Sequence, residues 1–453
     1  MPGYHLRFYF SRFGQRSQIA QSDGAGAPVL PLIGSAMKRP ELLSPAGNLE
    51  KLRTALLYGA DALYTGVPGL SLRAATAEMS IDELATGAAE AHAKGARLYA
   101  AFNIFARDAD LAEARKILPL MAQTGVDALI VSDPGLVRLA RELIPEMPLH
   151  LSTQTNTTNS ESVRFWRDWG IKRIILAREL TLKEISEIAA CTGGIELEIF
   201  VHGAMCMAYS GRCYLSALRN RRSANAGDCT QPCRWEYVLH ESSRPGDPLI
   251  LEEDERFSYL LSSKDLCLME HLPDVLATGV SAIKIEGRMK SSYYVAVATR
   301  AYRQALDALV QQKKHWCAAP WLKELETISH RGYTTGFAFS EEKINETSPD
   351  IKTIQTHKPA GIVLGFDETR KLLSIEVRNR LRTQDKVELL LRDDTLLIDA
   401  TLILDENKNP VSQAHTGSRI YLPSPVAAPA GAILRKQVIS SKQSILRSPV
   451  EYL

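Results

Sequence analysis

The apolar positions of this chain fall into short runs that alternate with helical segments from Glu41 to about Ile285. Continuous apolar runs, such as those at 128–131 and 174–176, are typical of parallel strands covered by helices. The pattern comprises about eight strand-helix units. Strands are predicted at 41–43, 61–64, 97–102, 128–131, 150–152, 173–176, 196–201 and 282–285, and helices at 49–58 and 110–123 and after Asn159, Thr181 and Lys264.

Eight such units predict an α/β fold, a (β/α)8 barrel of the TIM type, with a doubly wound open sheet as the alternative. No Gly-x-Gly-x-x-Gly or Walker-type phosphate loop follows any predicted strand. The open nucleotide-binding sheet therefore lacks positive support, and the barrel is the prediction. A cysteine-bearing insertion at about 204–263 follows the seventh strand.

The periodicity changes after a polar, Trp-containing helical connection near 313–329. Short strands joined by Asp, Asn, Gly and Arg turns are predicted at 360–366, 372–377, 386–391, 395–404 and 418–422, with a closing strand near Arg435. These signals predict a small antiparallel β-barrel. The predicted domains are a flexible extension at 1–36, the barrel at 37–310, the helical connection at 311–357 and the β-barrel module at 358–453.

Composition narrows the class of protein. The 453 residues are 45% hydrophobic and 23% charged, which is typical of a globular protein. No apolar stretch approaches the roughly 18–20 residues that a membrane span needs, so we expect a cytoplasmic protein without a membrane partner. The net charge of +2 means that a nucleic acid would be bound by a local basic patch. Residues 1–36 have the composition of a presequence or of a flexible extension before a start at Met37.

Four of the seven cysteines are clustered, at Cys206, Cys213, Cys229 and Cys233. They follow the seventh strand, so in a barrel they lie on the rim where active sites form. Six, fifteen and three residues separate successive cysteines, without the paired Cys-x-x-Cys knuckles of a zinc ribbon. The chemistry favours an iron-sulfur cluster over structural zinc or unligated thiols. Cys191, Cys267 and Cys317 are dispersed and are predicted to lie elsewhere.

The run from Glu198 to Ser216 resembles the signature of the collagenase-like peptidase family, peptidase family U32. Shorter resemblances flank it at 41–47, 58–62, 71–73, 229–235, 283–288 and 330–333. Within the family the chain is most similar to the branch that hydroxylates tRNA. This resemblance implies a 4Fe-4S cluster held by the four clustered cysteines, prephenate as co-substrate and conversion of the wobble uridine to 5-hydroxyuridine. It also implies the tRNA anticodon arm and the iron-sulfur assembly machinery as partners.

Three other functions remain open. The first is the peptidase activity of the family name, but neither a His-Glu-x-x-His helix nor a Gly-x-Ser-x-Gly elbow is present in the sequence. The second is an O2-independent ubiquinone-biosynthesis hydroxylase, the role of a related branch, against which the C-terminal module argues. The third is a non-catalytic RNA-binding protein that its metal holds together.

Residues that follow the predicted strands supply the candidate chemistry at the barrel mouth. His202, Glu286 and Lys284 are the candidate catalytic residues, and Glu179 or Glu286 would orient cations. Arginine binds carboxylates bidentately, so we expect the two carboxylates of prephenate to bind to Arg73, Arg178 and Arg288.

Other residues suit RNA. Asn103 and Gln154 are expected to read a uracil edge, and Tyr64, Tyr209 and Trp235 are candidates to stack on a base that has left the anticodon stack. In the C-terminal module, the predicted RNA-backbone contacts are Arg378, Arg380, Arg382 and Lys386.

Overall fold

The structure is a computed structural model that describes residues 39–72, 77–205, 216, 220–222, 230, 264–311, 316–339 and 354–438, together with the backbone of 253–254 and 257–258. The predicted extension at 1–36 and the predicted start at Met37 lie outside the described residues.

Within the described residues, the barrel region contains twelve strands, of which eight form the barrel wall. In chain order they are β1 (Glu41–Pro45), β2 (Ala62–Gly66), β3 (Arg97–Phe102), β4 (Ala128–Val131), β5 (Leu149–Leu151), β6 (Arg173–Ile175), β7 (Glu196–Ala204), β8 (Glu253–Asp254), β9 (Phe257–Ser258), β10 (Asp265–Cys267), β11 (Ala282–Ile285) and β12 (Tyr333–Thr334). Strands β1 to β7 are parallel neighbours, and β11 pairs in parallel with both β7 and β1. The wall is therefore closed, which confirms the predicted (β/α)8 barrel.

Helices cover the outside of this wall. They are α1 (Leu49–Leu57), α2 (Ile81–His92), α3 (Asp108–Met121), α4 (Pro134–Leu143), α5 (Ser160–Asp168), α6 (Leu182–Cys191), α7 (Leu272–Ala277), α8 (Ser292–Val310) and α9 (Ala319–Leu325). Side-chain caps fix several of their starts. Asn48 and Asn159 accept backbone N–H groups at the N-termini of α1 and α5, and Thr181 forms a capping box with Glu184 at α6.

Strand β7 continues beyond the barrel rim. Its last residues, His202 to Ala204, pair antiparallel with β10, and β12 adds to the far side of β10. Ala204 and Asp265 are cross-strand neighbours, so the cysteine insertion begins and ends at one point of the rim. The helix predicted after Lys264 is present as α7, but it begins only at Leu272, because Asp265–Cys267 first pairs with β7.

The C-terminal module is antiparallel, as predicted. Its strands are β13 (His357–Asp367), β14 (Leu372–Val377), β15 (Leu381–Arg382), β16 (Val387–Leu390), β17 (Thr395–Ile398), β18 (Ile403–Leu404), β19 (Pro410–Val411), β20 (Gln413–Ala414), β21 (Arg419–Pro423) and β22 (Ile433–Gln437). Eight form one sheet in the order β17-β16-β22-β13-β14-β21-β18-β19, and β15 pairs with β20. The inward residues, among them Leu373, Leu389 and Leu434, form one buried core.

The strand predicted over 395–404 is in fact two strands, β17 and β18. Asp399 accepts a hydrogen bond from the backbone N–H of Thr401 at 2.8 Å, which makes a local turn between them. The apolar run therefore bends at its single acidic residue.

Specific polar contacts dock the module on the barrel helices. The buried Tyr58 hydroxyl, at the end of α1, donates to the carbonyl of Leu390 at 2.8 Å and accepts from the Ile433 N–H at 3.0 Å. At the other end of α1, Arg378 forms an ion pair with Glu50 at 2.8 Å. Helix α1 starts at the carboxyl end of β1, so the Arg378 side of the module lies at the mouth end of the barrel.

No helix in the described part of the chain is long and apolar enough to cross a bilayer.

Candidate active site

The carboxyl ends of the barrel strands form a mouth whose floor is a buried lysine between aromatic rings. Lys284 on β11 is 3% exposed, and its Nζ donates to Glu198 Oε1 at 2.9 Å. The same ammonium lies 4.3 Å from the centroid of the Tyr64 ring and 5.3 Å from that of Phe200. Burial lowers the pKa of Lys284, and the contact with Glu198 opposes that shift. Both ring contacts stabilise the charged form.

Beneath this floor, an ionic network fills the barrel. The Arg173 guanidinium is 2% exposed and lies 2.6 Å from Glu41 and 3.2 Å from Glu198. Glu196, at the lower edge, is 2.6 Å from the same guanidinium, and the Tyr99 hydroxyl donates to Glu41 at 3.0 Å. Sequence reasoning missed this network. The available signal was the alternation of Glu196 and Glu198 in a strand that is otherwise apolar.

On the rim, the two amides predicted to read a base are hydrogen-bonded to each other. Asn103 follows β3, and Gln154 lies in a single 3-10 turn (Thr153–Thr155) after β5. Asn103 Nδ2 donates to Gln154 Oε1 at 3.2 Å, and Asn103 Oδ1 accepts from the backbone N–H of Leu72 at 3.1 Å. The Ser152 hydroxyl also donates to Gln154 Oε1. Three loops are thereby linked around the mouth.

Arg288 extends this linkage to the loop after β11. Its guanidinium donates to the carbonyl of Leu72 and lies 3.4 Å from Ser71 Oγ. Gly66 accommodates it, because a Cβ at that position would lie 2.6 Å from Arg288 Nη1 and closer still to Ser71 Oγ. The structure thus places the predicted carboxylate ligand Arg288 at the mouth, 4% exposed and 5.9 Å from the Tyr64 ring.

Arg178 lies on the same rim, after β6. Its guanidinium stacks 3.9 Å from the Phe200 ring centroid, and Nη1 donates to the carbonyl of Ala204 at 3.0 Å. Because Ala204 is the last residue of β7, this bond fixes the first end of the cysteine insertion. The third predicted cation, Arg73, and the predicted stacking residues Tyr209 and Trp235 lie outside the described residues.

His202 lies behind the barrel wall. It is 1% exposed, and the rings of Tyr294, Tyr302 and Tyr333 surround it with centroid distances of 5.5 to 5.9 Å. Burial lowers the pKa of His202 to about 3. Its neighbour across the ladder, Glu286, donates its N–H to the His202 carbonyl at 2.8 Å and is half-buried at the end of β11. Of these two candidate catalytic residues, Glu286 is therefore the more accessible.

The buried His202 predicts a pH dependence of stability. The pKa falls from 6.5 in the unfolded chain to about 3 in the folded one, so below pH 6.5 only the unfolded chain takes up this proton. The free energy of unfolding should therefore decrease as the pH falls. Denaturant titrations at pH 7 and pH 5 measure how far the free energy of unfolding falls between these pH values. That fall should be smaller in His202→Phe than in the wild type, by up to about 2 kcal/mol. The exposed His415, changed to Phe, is the control, and a His202→Phe profile parallel to the wild-type profile would contradict the prediction.

The four clustered cysteines lie outside the described residues, but two short stretches next to them are described. Ser216, three residues after Cys213, accepts the backbone N–H of Thr230 at 3.0 Å, and Thr230 directly follows Cys229. Asn220 donates to the Thr230 hydroxyl at 2.6 Å. The segments that follow the second and third cysteines are thus hydrogen-bonded together, an arrangement that fits thiolate ligands for one metal group.

The remaining cysteines do not form a site. Cys191 and Cys317 are exposed, and Cys267 is buried on β10 with its thiol 3.8 Å from the Tyr302 hydroxyl. Over the described ranges, no group of three or more His, Cys, Asp and Glu side chains is placed to hold a metal ion.

The basic residues of the module divide into two kinds. Arg378 is committed to Glu50 and also lies 3.5 Å from Glu376, so it contributes to docking of the module. Arg380 and Lys386 are exposed, and Arg382 is half-buried. All four lie between β14 and β16, and Arg378 among them contacts Glu50 at the mouth end of the barrel.

Comparisons with known proteins agree with this architecture. The profile described as Peptidase family U32 matches residues 47–348, and that described as Peptidase family U32 C-terminal domain matches residues 355–435. A tRNA hydroxylation protein P of Escherichia coli is 39% identical over 78% of this chain and 86% of its own length. A 23S rRNA 5-hydroxycytidine synthase of the same organism is 35% identical over 82% of this chain and 55% of its own length. A collagenase of Porphyromonas gingivalis is 32% identical over 66% of this chain and 73% of its own length.

Proposed function

The chain belongs to peptidase family U32, and we propose that it is an RNA-modifying enzyme that hydroxylates tRNA. The observation that carries the proposal is the similarity to the tRNA hydroxylation protein, which extends over most of both chains. The finer proposal is conversion of the wobble uridine to 5-hydroxyuridine, with prephenate as co-substrate.

The cofactor in this proposal is a 4Fe-4S cluster. Cys206, Cys213, Cys229 and Cys233 would hold it, and the contacts among Ser216, Asn220 and Thr230 support this set. When bound, such a cluster supplies one-electron transfer. Zinc in the same thiolates is the alternative. A cluster of this kind would require the iron-sulfur assembly machinery as a partner in the cell.

The described residues have separate tasks in this function. The uridine enters the mouth after leaving the anticodon stack, because its ring edge is covered while it is stacked. Arg178 and Arg288, with Arg73, would bind the carboxylates of prephenate beside the rings of Phe200 and Tyr64. Lys284 stays fixed by Glu198 at the floor. We assign the role of proton acceptor to the half-buried Glu286, because His202 is buried among tyrosines.

Peptide hydrolysis is the second candidate, on the strength of the collagenase relative. A cysteine or serine protease needs a nucleophile beside a base within hydrogen-bond reach. Within the described ranges, His202 is enclosed by tyrosines, and the buried Cys267 thiol has its pKa raised by burial to about 11. Neither group is suited to that role.

Mass spectrometry of tRNA nucleosides tests the proposed function. A deletion strain should lack 5-hydroxyuridine and its derivatives, and the full-length chain should restore them. Unchanged nucleosides together with lost collagen cleavage would favour the protease. A defect confined to ubiquinone would favour the biosynthetic hydroxylase, and loss of tRNA binding without any loss of modification would favour the binding protein.

The exposed cations of the module predict where tRNA is held. Arg380→Ala combined with Lys386→Ala should weaken tRNA binding and reduce the slope of log affinity against log salt by about two, since each phosphate contact releases about one counterion. Filter binding over a salt series measures both quantities. Arg378 is not substituted in this variant, because its loss would also break the ion pair with Glu50 that docks the module on the barrel.

The matched control for this variant removes Arg370 and Lys371, an exposed pair on the turn between β13 and β14. This change removes the same amount of positive charge elsewhere on the module, so the slope of log affinity against log salt should stay nearly unchanged. Equal slopes in both double variants and the wild type would place RNA docking outside the module.

A further inference from the structure

Gln154 is held at the mouth in one position by a rigid turn. The turn is closed by backbone bonds from Thr155 to Ser152 at 3.1 Å and from Asn156 to Thr153 at 3.0 Å. The Thr153 hydroxyl also donates to the carbonyl of Leu176 at 3.0 Å, which ties the turn to the end of β6. The side chain of Gln154 therefore starts from a fixed backbone.

A chain of hydrogen bonds then fixes which way the Gln154 amide faces. The backbone N–H of Leu72 can only donate, so the Asn103 atom that faces it is Oδ1. The other Asn103 atom is then Nδ2, a donor, and the Gln154 atom that faces it must be Oε1. The Ser152 hydroxyl donates to the same oxygen. The orientation of both amides thus follows from one backbone group, although amide nitrogen and oxygen look alike.

The consequence is a pair of donors with no acceptor. Gln154 Nε2 points away from Asn103 and Ser152, and no described residue accepts either of its N–H groups. Gln154 is half-buried, and its Nε2 is not among the buried atoms that lack a partner, so these donors are accessible to a ligand that enters the mouth. A donor oriented in this way and left without an acceptor points to a ligand that carries one.

We infer that Gln154 selects a pyrimidine with an acceptor at C4, which is uracil, against cytosine. Uracil has a carbonyl oxygen at C4, which can accept a hydrogen bond from Gln154. Cytosine has an amino group at C4, so two donors would face each other and no hydrogen bond could form. Asn103 is a positioning residue in this scheme, because its own donor and acceptor are both used within the protein. The inference rests on the proposed function for the identity of the reaction and not for the choice of base.

Two variants reverse the donor without changing the shape of the mouth. Gln154→Glu replaces the amide donor by an oxygen. Asn103→Asp keeps the acceptor for Leu72 but presents an oxygen to Gln154, so the Gln154 amide should turn over and present Oε1 to the ligand, with the Ser152 hydroxyl rotating to accept. Gln123→Glu, an exposed change of the same chemistry, is the matched control.

Binding and product formation are measured separately. Anticodon stem-loop RNAs with uridine or cytidine at the first anticodon position are titrated against each purified holoprotein, and their nucleosides are then analysed after turnover. We expect the wild type and Gln123→Glu to prefer the uridine RNA, and both reversing variants to shift that preference toward cytidine by about tenfold or more. Thermal unfolding should show that all four proteins are folded.

The possible outcomes distinguish the role of Gln154 in choosing the base from the proposed hydroxylation of tRNA. Reversing variants that are folded and keep the wild-type preference overturn the role of Gln154, and so does a wild type that binds both RNAs equally. A wild type that prefers the uridine RNA but forms no hydroxylated nucleoside refutes the proposed function and leaves the choice of base standing.

Discussion

Replacing any one of Cys206, Cys213, Cys229 and Cys233 by alanine should reduce 5-hydroxyuridine in tRNA to the level of a deletion strain. It should also remove the brown colour of protein purified without oxygen. A four-thiolate site that loses one ligand loses its cluster or its redox properties, and the effect should be the largest of any single substitution. Visible absorption, iron content and tRNA nucleoside analysis measure the three consequences.

The dispersed cysteines supply the control for this experiment. Cys191→Ala and Cys317→Ala change exposed thiols and should keep colour, iron and product. A colourless wild type with one equivalent of zinc would establish a structural metal in place of the cluster. A Cys229→Ala variant that keeps the wild-type colour, iron content and product would show that the four cysteines do not converge.

Replacing Arg173 by methionine should lower the free energy of unfolding by about 3–5 kcal/mol. The substitution leaves Glu198, fully buried, with Lys284 as its remaining partner, and it strips the 13%-exposed Glu41 side chain of a contact at 2.6 Å. A buried carboxylate that loses an ion-pair partner is costly, because its charge is then poorly compensated at a site removed from bulk solvent. Chemical denaturation at neutral pH measures the loss.

An exposed ion pair gives the comparison. Arg115→Met breaks a pair with Glu142 whose side chains are about half exposed, and it should cost no more than about 1 kcal/mol. Adding Glu41→Gln to Arg173→Met should recover part of the loss, because it removes the carboxylate that has lost the buried guanidinium, whereas Glu198 keeps Lys284. Equal losses in the Arg173 and Arg115 variants would mean that the barrel interior is open to water.

The barrel was predictable because its signal is local and repeated. Runs such as β4 are apolar throughout, and caps such as Asn48 and Thr181 mark helix starts within the same few residues. Strand β10 was not predictable. It has three residues, and it is a strand only because β7 extends beyond the rim to pair with it.

The site residues show the same division between local and long-range information. Position after a strand is enough to place Arg178, Arg288 and Gln154 at the mouth. The direction of the Gln154 amide depends, through Asn103, on the backbone N–H of Leu72, which lies 82 positions earlier in the sequence. No local sequence pattern carries that information. Arg173 was missed because a charged residue within a strand suggests a solvent-facing position, whereas here its partners come from β1 and β7.

The pairing of Ala204 with Asp265 has a consequence for how this protein accommodates change. A segment whose two ends form one cross-strand pair costs mainly the entropy of loop closure, and that cost grows only with the logarithm of segment length, about 0.6 kcal/mol for each doubling. The barrel can therefore carry a longer, shorter or rebuilt excursion at this point with little change in its own folding. Substitutions, insertions and deletions in the stretch that carries the cysteines can therefore accumulate independently of the eight strands, which are constrained by their own packing.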